Sequence, residues 1–313
     1  MPISEPAVFA VKHKDEGIRA ASRSGGIFTA LSDAVLSEQG IIYGCVMTDD
    51  FRAVHIRADD AETRNRMRGS KYIQSELGDI FYKVKTDLQH ERKVLFSGTS
   101  CQISGLKSYL TKPYENLLCV DIICHGVPSP LVWQHYLDWQ AEQAQSPVKS
   151  VDFRNKKDYG WKAHIETLTF ENEKRIDSEV FRKLFYSHRI LRPSCHQCPY
   201  KSVHHLADIT IADYWGIDRA APDMNDNKGI SLVLVNSQLG REYFDRVRSE
   251  LEYRETALED SLQPPLKAPF PPAADREQFW DDFRNRPFRY IVKKYGTVSF
   301  MSKLKKKIRR ILK

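Results

Sequence analysis

Short apolar runs of strand length alternate with stretches of helical spacing from Ala7 to Leu251, and this alternation constrains the fold more than any other feature. Ala7–Lys12, Ile41–Met47, Val54–Arg57, Lys93–Phe96, Leu117–Ile123 and Ser231–Val235 read as strands. Several are apolar throughout, the pattern of strands buried on both faces. Between them, a helix is expected from about Ile27, where Phe28, Leu31, Ala34 and Val35 fall at helical spacing and Ser24 is the expected N-cap. Further helices are expected over Leu77–Gln89, after Cys101, over Pro130–Trp139 and over Leu239–Leu251. Val151–Arg154, Ile165–Phe170 and Asp208–Ala212 suggest more strands, the second entering a hairpin at the ENEK sequence. The implied fold class is α/β, with mixed, partly parallel sheet layers flanked by helices and a C-terminal helical extension.

The stretch QPPLKAPFPP, residues 263–272, has five prolines in ten positions and marks a stiff linker or surface strap beyond the core. Gln278–Tyr290 and Val298–Leu312 read as terminal helices. With 41% hydrophobic and 28% charged residues in 313, the chain is neither disordered nor fibrous. It has no apolar run of membrane-spanning length and no signal-peptide layout at its amino terminus, so a cytoplasmic protein is expected. The net charge of +7 lies wholly in residues 301–313, which carry seven basic and no acidic side chains. The rest is balanced, which argues against a nucleic-acid-binding surface. In that tail Met301, Leu304, Ile308 and Ile311 share one helical face and basic side chains cover much of the remainder. This suits peripheral contact with anionic lipid at the inner membrane face, and equally a helix that packs weakly in solution.

Chemistry concentrates at the cysteines. Cys101 lies in GTSCQ, Cys124 in CHGVPSP, and Cys195 with Cys198 in SCHQCPY, all polar, turn-rich surroundings. Four soft thiolates suit an iron–sulfur cluster or a zinc ion, and spacing alone leaves both open beside separate structural thiols. Cys45 and Cys119 sit inside apolar strand runs and read as buried packing residues. The SRSGG sequence ahead of a helix offers backbone N–H groups and a helix dipole to a phosphate; an ordinary capped turn has the same sequence. Arg68, Ser70, Lys71, Tyr72, Gln74 and Ser75 crowd one short loop, suited to a phosphate, a ribityl chain and a flat heterocycle, or simply to solvent. His125, beside Cys124, is a candidate proton donor.

In order along the chain, SRSGGIFTAL, RGSKYIQS, VLFSGTSCQISGL, VDIICHGVPSP, FRNKKDYGW, SCHQCPY and DITIADYWGI resemble the coenzyme F420-reducing hydrogenase beta-subunit family, which includes formate dehydrogenase beta subunits and chlorophyll-pathway reductases. The resemblance implies an FAD-binding α/β core with a [4Fe-4S] cluster, exchanging electrons with a small-molecule substrate at the flavin. By matching motif, it places Ser24, Gly25, Gly26, Gly69, Ser70, Lys71 and Tyr72 around FAD. Cys101, Cys124, Cys195 and Cys198 become cluster ligands, and His125 and Lys71 catalytic candidates. It divides the chain into a flavin-binding part (1–90), a part with the cluster site (91–255), and a proline-rich linker with basic helices (256–313).

Three features depart from the family pattern. Many relatives begin with a cysteine-rich, ferredoxin-like segment, whereas no cysteine precedes Cys45 here, so an external ferredoxin or electron-transfer subunit is the expected partner. GTSCQ has serine where the family commonly has proline before the cysteine. The basic tail after a proline-rich stretch is expected of bacterial members linked with surface-polysaccharide synthesis more than of archaeal hydrogenase subunits, which counts against coenzyme F420 itself as the substrate. The alternative is a non-redox scaffold protein of glycan assembly, with zinc or bare thiols at the quartet.

Overall fold

The computed structural model describes residues 2–297, and the expected helix Val298–Leu312 with the basic tail lies outside them. In chain order the strands are β1 (Pro2–His13), β2 (Ile41–Met47), β3 (Ala53–Ala58), β4 (Ser75–Glu76), β5 (Val94–Thr99), β6 (Leu117–Ile122), β7 (Val148–Asp152), β8 (Glu166–Phe170), β9 (Arg175–Ser178), β10 (Ile209–Asp213), β11 (Ser231–Ser237) and β12 (Leu251–Glu255). The chain forms two compact units. The first holds the residues up to Gly126, Lys156–Ala163 and Gln197–Pro269; the second holds Val127–Asn155, His164–His196 and the chain from Phe270.

The first unit is built on a nine-stranded sheet ordered β12-β1-β11-β10-β6-β5-β2-β3-β4. The central run β10-β6-β5-β2 is parallel, and antiparallel pairs flank it on both sides. Alternation along each strand loads both faces. Phe9 and Val11 of β1 and Val233 and Val235 of β11 lie under the helices Ile27–Ser37 and Gln238–Val247. On the other face, Tyr43, Phe96 and Cys119 meet the helices Ile80–Gln89 and Ser100–Leu110, while Val8, Ala10, Leu232 and Leu234 meet Trp161, Tyr214 and Ile217. The result is a three-layer α/β unit, the class expected from the sequence.

Ser24 does not cap the helix Ile27–Ser37. The cap is Gly26, whose φ of 96° lies in the left-handed region, and the Ser24 hydroxyl donates instead to Ile230 O at 2.6 Å. The cause is one residue away: a Cβ on Gly25 would lie 2.0 Å from Val11 O and 2.7 Å from Ser231 N. The loop is therefore pressed against β1 and β11, with Gly25 N donating to Ser231 Oγ (2.9 Å) and Gly25 O accepting from His13 N (2.7 Å). Cys101, expected ahead of its helix, lies inside the first turn of Ser100–Leu110, where Thr99 and Gln102 form a capping box.

Two expectations near the end of the core fail. The helix expected to reach Leu251 stops at Val247 and gives way to the edge strand β12. The proline-rich stretch does not lie wholly beyond the core: Leu266 is buried beside Tyr214 and Ile217, and Gln263 Nε2 donates to Asp213 O at 2.6 Å.

In the second unit, β7-β8-β9 form an antiparallel sheet, with the expected hairpin closed by Phe170 N donating to Lys174 O at 3.0 Å. Trp133 of the helix Pro130–Ala144 stacks on Phe153 (4.9 Å) and meets Phe181 edge-on (4.8 Å). The chain from Phe270 is part of this body: Asp275 pairs with Arg189 through two bonds of 2.7 and 2.8 Å, and Phe283 meets His135 at 5.1 Å. The single helix expected over Gln278–Tyr290 is two, Arg276–Asn285 and Phe288–Ile291, because Pro287 between them has no N–H to continue the ladder. Among the described residues no helix is long and apolar enough to cross a membrane.

Candidate functional site

Strand direction gathers the motifs. β10, β6, β5 and β2 run the same way, and β1 joins them because it is antiparallel to β11, itself antiparallel to β10. All five therefore end on one edge of the sheet. Along that edge stand the SRSGG loop after β1, Tyr214-Trp215-Gly216 after β10, Cys124-His125 after β6 and Cys101 after β5. The RGSKYIQS loop reaches the same edge at Ser75, which begins β4 beside Ala53, the first residue of β3. Ligands in open α/β sheets bind outside the carboxyl ends of the strands.

The RGSKYIQS loop and the segment before it bond to the helix that follows SRSGG. Arg68 Nε donates to Thr29 Oγ1 in the first turn of Ile27–Ser37 at 3.1 Å, and buried Arg64 donates to Thr29 O (3.1 Å) and Asp33 Oδ1 (2.6 Å). Gly25 N is already bonded to Ser231, so the groups open to an anion begin at Gly26, with the first N–H groups of the helix. Burial, and then the neighbouring Arg64 charge, hold the Arg68 pKa below its ordinary value, so an anion beside it would be stabilising. Gly69 turns the loop at φ 82°, and Ser70 and Tyr72 are half-buried in it.

Lys71 serves as a strut in this loop. Its Nζ donates to Arg66 O (3.3 Å), Met67 O (2.8 Å) and Arg68 O (3.0 Å), which occupies all three ammonium hydrogens. Burial pushes its pKa down to about 8, opposed by the nearby Cys45. Cys45 is only half-buried and stands across the sheet from His55, whose Nε2 bonds Ser97 O at 3.0 Å; burial lowers the His55 pKa to about 4.

Three cysteine-bearing segments of the first unit are tied together. Tyr200, two residues after Cys198, donates to Ser104 Oγ at 2.8 Å in the helix that carries Cys101, and Lys201 donates to Cys124 O. Fully buried Asp121 accepts from His205 Nδ1 at 2.7 Å, with Ser100 Oγ 3.3 Å from the same nitrogen. The His205 side chain is 3% exposed, and neither its Nε2 nor Asp121 Oδ1 has a hydrogen-bond partner among the described residues. Cys101 is exposed, with Thr99 Oγ1 3.1 Å from its sulfur; Cys124, Cys195 and Cys198 are half-buried. Cys195 belongs to the second unit, where its Sγ accepts from Val127 N at 3.4 Å. No three His, Cys, Asp or Glu side chains stand together as a metal site among the described residues. Cys119 differs from the four: it is buried, and desolvation, then the Asp208 carboxylate, raise its thiol pKa.

His125 is half-buried at the end of β6, next to Gly126 at φ 144°. Asp121 and His205 were not among the expected site residues. Asp121 had one sequence signal, a carboxylate inside the apolar run LLCVDII, which burial must pair with a partner.

An open, mixed sheet with polar, glycine-bearing and thiol-bearing loops on the carboxyl ends of its parallel strands has the layout in which α/β proteins hold ligands. Residues 91–261 match the C-terminal part, and residues 8–81 the N-terminal part, of the coenzyme F420 hydrogenase/dehydrogenase beta subunit, and the chain belongs to this family. Its function is accordingly redox-related, of the oxidoreductase class. Among solved structures, a chain of the xenon-derivatised F420-reducing [NiFe] hydrogenase complex from Methanosarcina barkeri is similar in fold. The match has a TM-score of 0.55 and 20% identity, over 80% of this chain and 82% of that one. A comparison with curated proteins found no match.

Proposed function

We propose that the chain is an oxidoreductase that passes electrons between a [4Fe-4S] cluster and a small-molecule substrate at FAD. The observation that supports this most is the bond from Arg68 of the RGSKYIQS loop to Thr29, in the first turn of the helix that follows SRSGG, on the sheet edge that also carries Cys101 and Cys124. The first N–H groups of the helix Ile27–Ser37 and Arg68 would bind the FAD pyrophosphate, with Ser24, Gly25, Gly26, Gly69, Ser70 and Tyr72 shaping the surrounding loops and Lys71 holding one of them rigid. Cys101, Cys124, Cys195 and Cys198 would hold the cluster. Thr99 beside one sulfur and the Val127 N–H donated to another suit thiolates that carry negative charge. When bound, the cluster and flavin supply one- and two-electron chemistry, and the protein supplies orientation and excludes water. His125, at the same edge, would deliver a proton to the substrate.

Electrons would arrive from an external ferredoxin or a partner subunit; the similar solved chain comes from a multi-subunit complex. A setting in surface-polysaccharide synthesis, with the basic tail resting on anionic lipid, belongs to the same proposal.

The test is anaerobic purification with the visible spectrum, iron, sulfide and flavin measured together. Broad absorbance near ~400 nm that bleaches with dithionite, with stoichiometric flavin, is the expected result. A colourless, zinc-bearing protein would instead establish the scaffold alternative. Cys198→Ser should lose the iron and Cys119→Ser should keep it; equal loss from both would overturn the ligand assignment.

A further inference from the structure

The helix Phe288–Ile291 has no role in the reading above. It runs directly into the π-helix Val292–Gly296, and Ile291, Val292, Tyr295 and Gly296 are buried. Tyr295 Oη donates to Asp282 Oδ2 at 2.6 Å, Phe288 meets His135 (6.1 Å) and Trp139 (6.4 Å), and a Cβ on Gly296 would lie 2.9 Å from Val180 Cγ1. Three helices of the second unit, Arg276–Asn285, Pro130–Ala144 and Val180–Tyr186, therefore hold these nine residues in place. Arg289, Tyr290, Lys293 and Lys294 form the side left in solvent.

That side is cationic. Lys294 is paired with Asp282 at 2.6 Å, but Arg289 and Lys293, and Arg286 just before the helix, make no ion pair among the described residues. Most carboxylates of the neighbouring elements are engaged: Asp281 lies 4.0 Å from Arg284, Glu179 pairs with Arg182 and Lys183, and Asp138 accepts from Gln134 at 3.0 Å. Glu142, a turn beyond Trp139, and Glu277, in the first turn of Arg276–Asn285, are the carboxylates left exposed and unpaired on those helices. Tyr290, 36% exposed, sits among the cations, its ring centre 5.8 Å from Arg286 Cζ and 5.5 Å from Lys294 Nζ. The bias continues in the sequence, since residues 284–313 hold twelve basic and no acidic side chains.

A rigid cationic side with an aromatic ring in its midst fits the head-group layer of a bilayer, where tyrosine lies at the interface and basic side chains meet anionic lipid. Duplex nucleic acid would use the cations but has no use for Met301, Leu304, Ile308 and Ile311, spaced through the adjoining basic sequence. We propose that Arg286, Arg289, Tyr290 and Lys293 form an anionic-lipid contact on the folded second unit, so that this unit itself rests on the membrane surface. This deepens the lipid reading of the basic tail, and the two stand or fall separately in one experiment.

The full chain and four full-length variants are titrated with vesicles of phosphatidylglycerol and phosphatidylcholine in equal parts, with phosphatidylcholine vesicles and a short DNA duplex for comparison. Arg289→Gln/Lys293→Gln removes two charges from this side, Lys305→Gln/Lys306→Gln two from the tail, and Lys112→Gln/Lys267→Gln two exposed charges from the first unit. Arg289→Lys/Lys293→Arg keeps the charge, and circular dichroism checks the fold. Arg289→Gln/Lys293→Gln should weaken binding to the anionic vesicles about 10- to 30-fold, with the first-unit pair and the charge-keeping pair close to the parent. Equal weakening by the first-unit pair, or equal binding to phosphatidylcholine alone, would overturn the inference. If only the tail pair loses affinity, the tail reading stands and this inference falls; if only Arg289→Gln/Lys293→Gln loses it, the reverse holds; if both lose it, both stand. A parent that binds no anionic vesicle overturns both, and one that binds the DNA duplex as tightly, with the same loss in Arg289→Gln/Lys293→Gln, overturns the assignment to lipid.

Discussion

At the scale of single residues, chemical type was legible and partnership was not. Lys71 read as a cation in a polar loop, which it is, but its three hydrogens go to carbonyls three to five residues behind it, a geometry set by the chain path. Cys119 was recognisable as a packing residue from its apolar flanks, whereas nothing near His205 in sequence announces its bond to Asp121, 84 positions away. Glu166 shows the same limit with a measurable consequence. It opens β8 in a polar–apolar alternation, yet it is fully buried, and desolvation pushes its pKa up to about 8, opposed by the Arg182 N–H it accepts from at 2.7 Å. The folded chain therefore keeps a proton that the unfolded chain releases near its ordinary value of 4.5. The stability this proton contributes is fully present below that value and is lost as pH rises through about 8. Glu166→Gln should flatten the slope, raising the unfolding free energy from urea titration relative to the parent at pH ~8.5 more than at pH ~5, by roughly 1–3 kcal/mol. Parallel pH dependences in the two proteins would rule this out.

At the scale of elements, strands buried on both faces were the most legible, because an apolar run with no polar alternation has few other places to go. β2 has the expected bounds, β6 and β11 differ from theirs by a residue or two at one end, and β5 starts one residue later and runs three residues further than expected. β12 escaped notice for the opposite reason: as an edge strand it buries only Leu251, and Glu252, Arg254 and Glu255 carry no sheet signal. The helix from Ile27 begins where expected, but its cap was misread because the backbone outweighed the side chain: close approach of Gly25 to β1 and β11 took Ser24 away from the cap. The proline-rich segment was correctly seen as irregular and wrongly set outside the core, since periodicity says nothing about an isolated apolar residue among prolines. Leu266→Ala tests this: a strap that closes the core should lose about 2–4 kcal/mol in denaturant unfolding, whereas a surface linker would lose almost nothing.

At the scale of the molecule, the sequence indicated an α/β architecture but not how the chain is shared between two bodies. Local patterning records which segments are helix or strand; it does not record that residues 127–155, 164–196 and those from Phe270 belong together while 156–163 goes to the other unit. The contacts that close the second unit span long separations, with Trp280 Nε1 reaching Arg189 O at 3.1 Å and Phe288 meeting Trp139 at 6.4 Å. Ending the chain after Pro269 should therefore leave the first unit resistant to protease while residues 127–155 and 164–196 become cleavable; equal protection of both would contradict this division. The same arrangement has a consequence for biosynthesis. The sheet of the first unit needs nothing beyond Glu255, so it can form on the ribosome while the second unit still waits for Phe279 and its neighbours. Gly296 lies against Val180 in the helix that carries Phe181 and Phe185, so that helix must wait, its apolar side incompletely covered, until residues near Gly296 have left the ribosome.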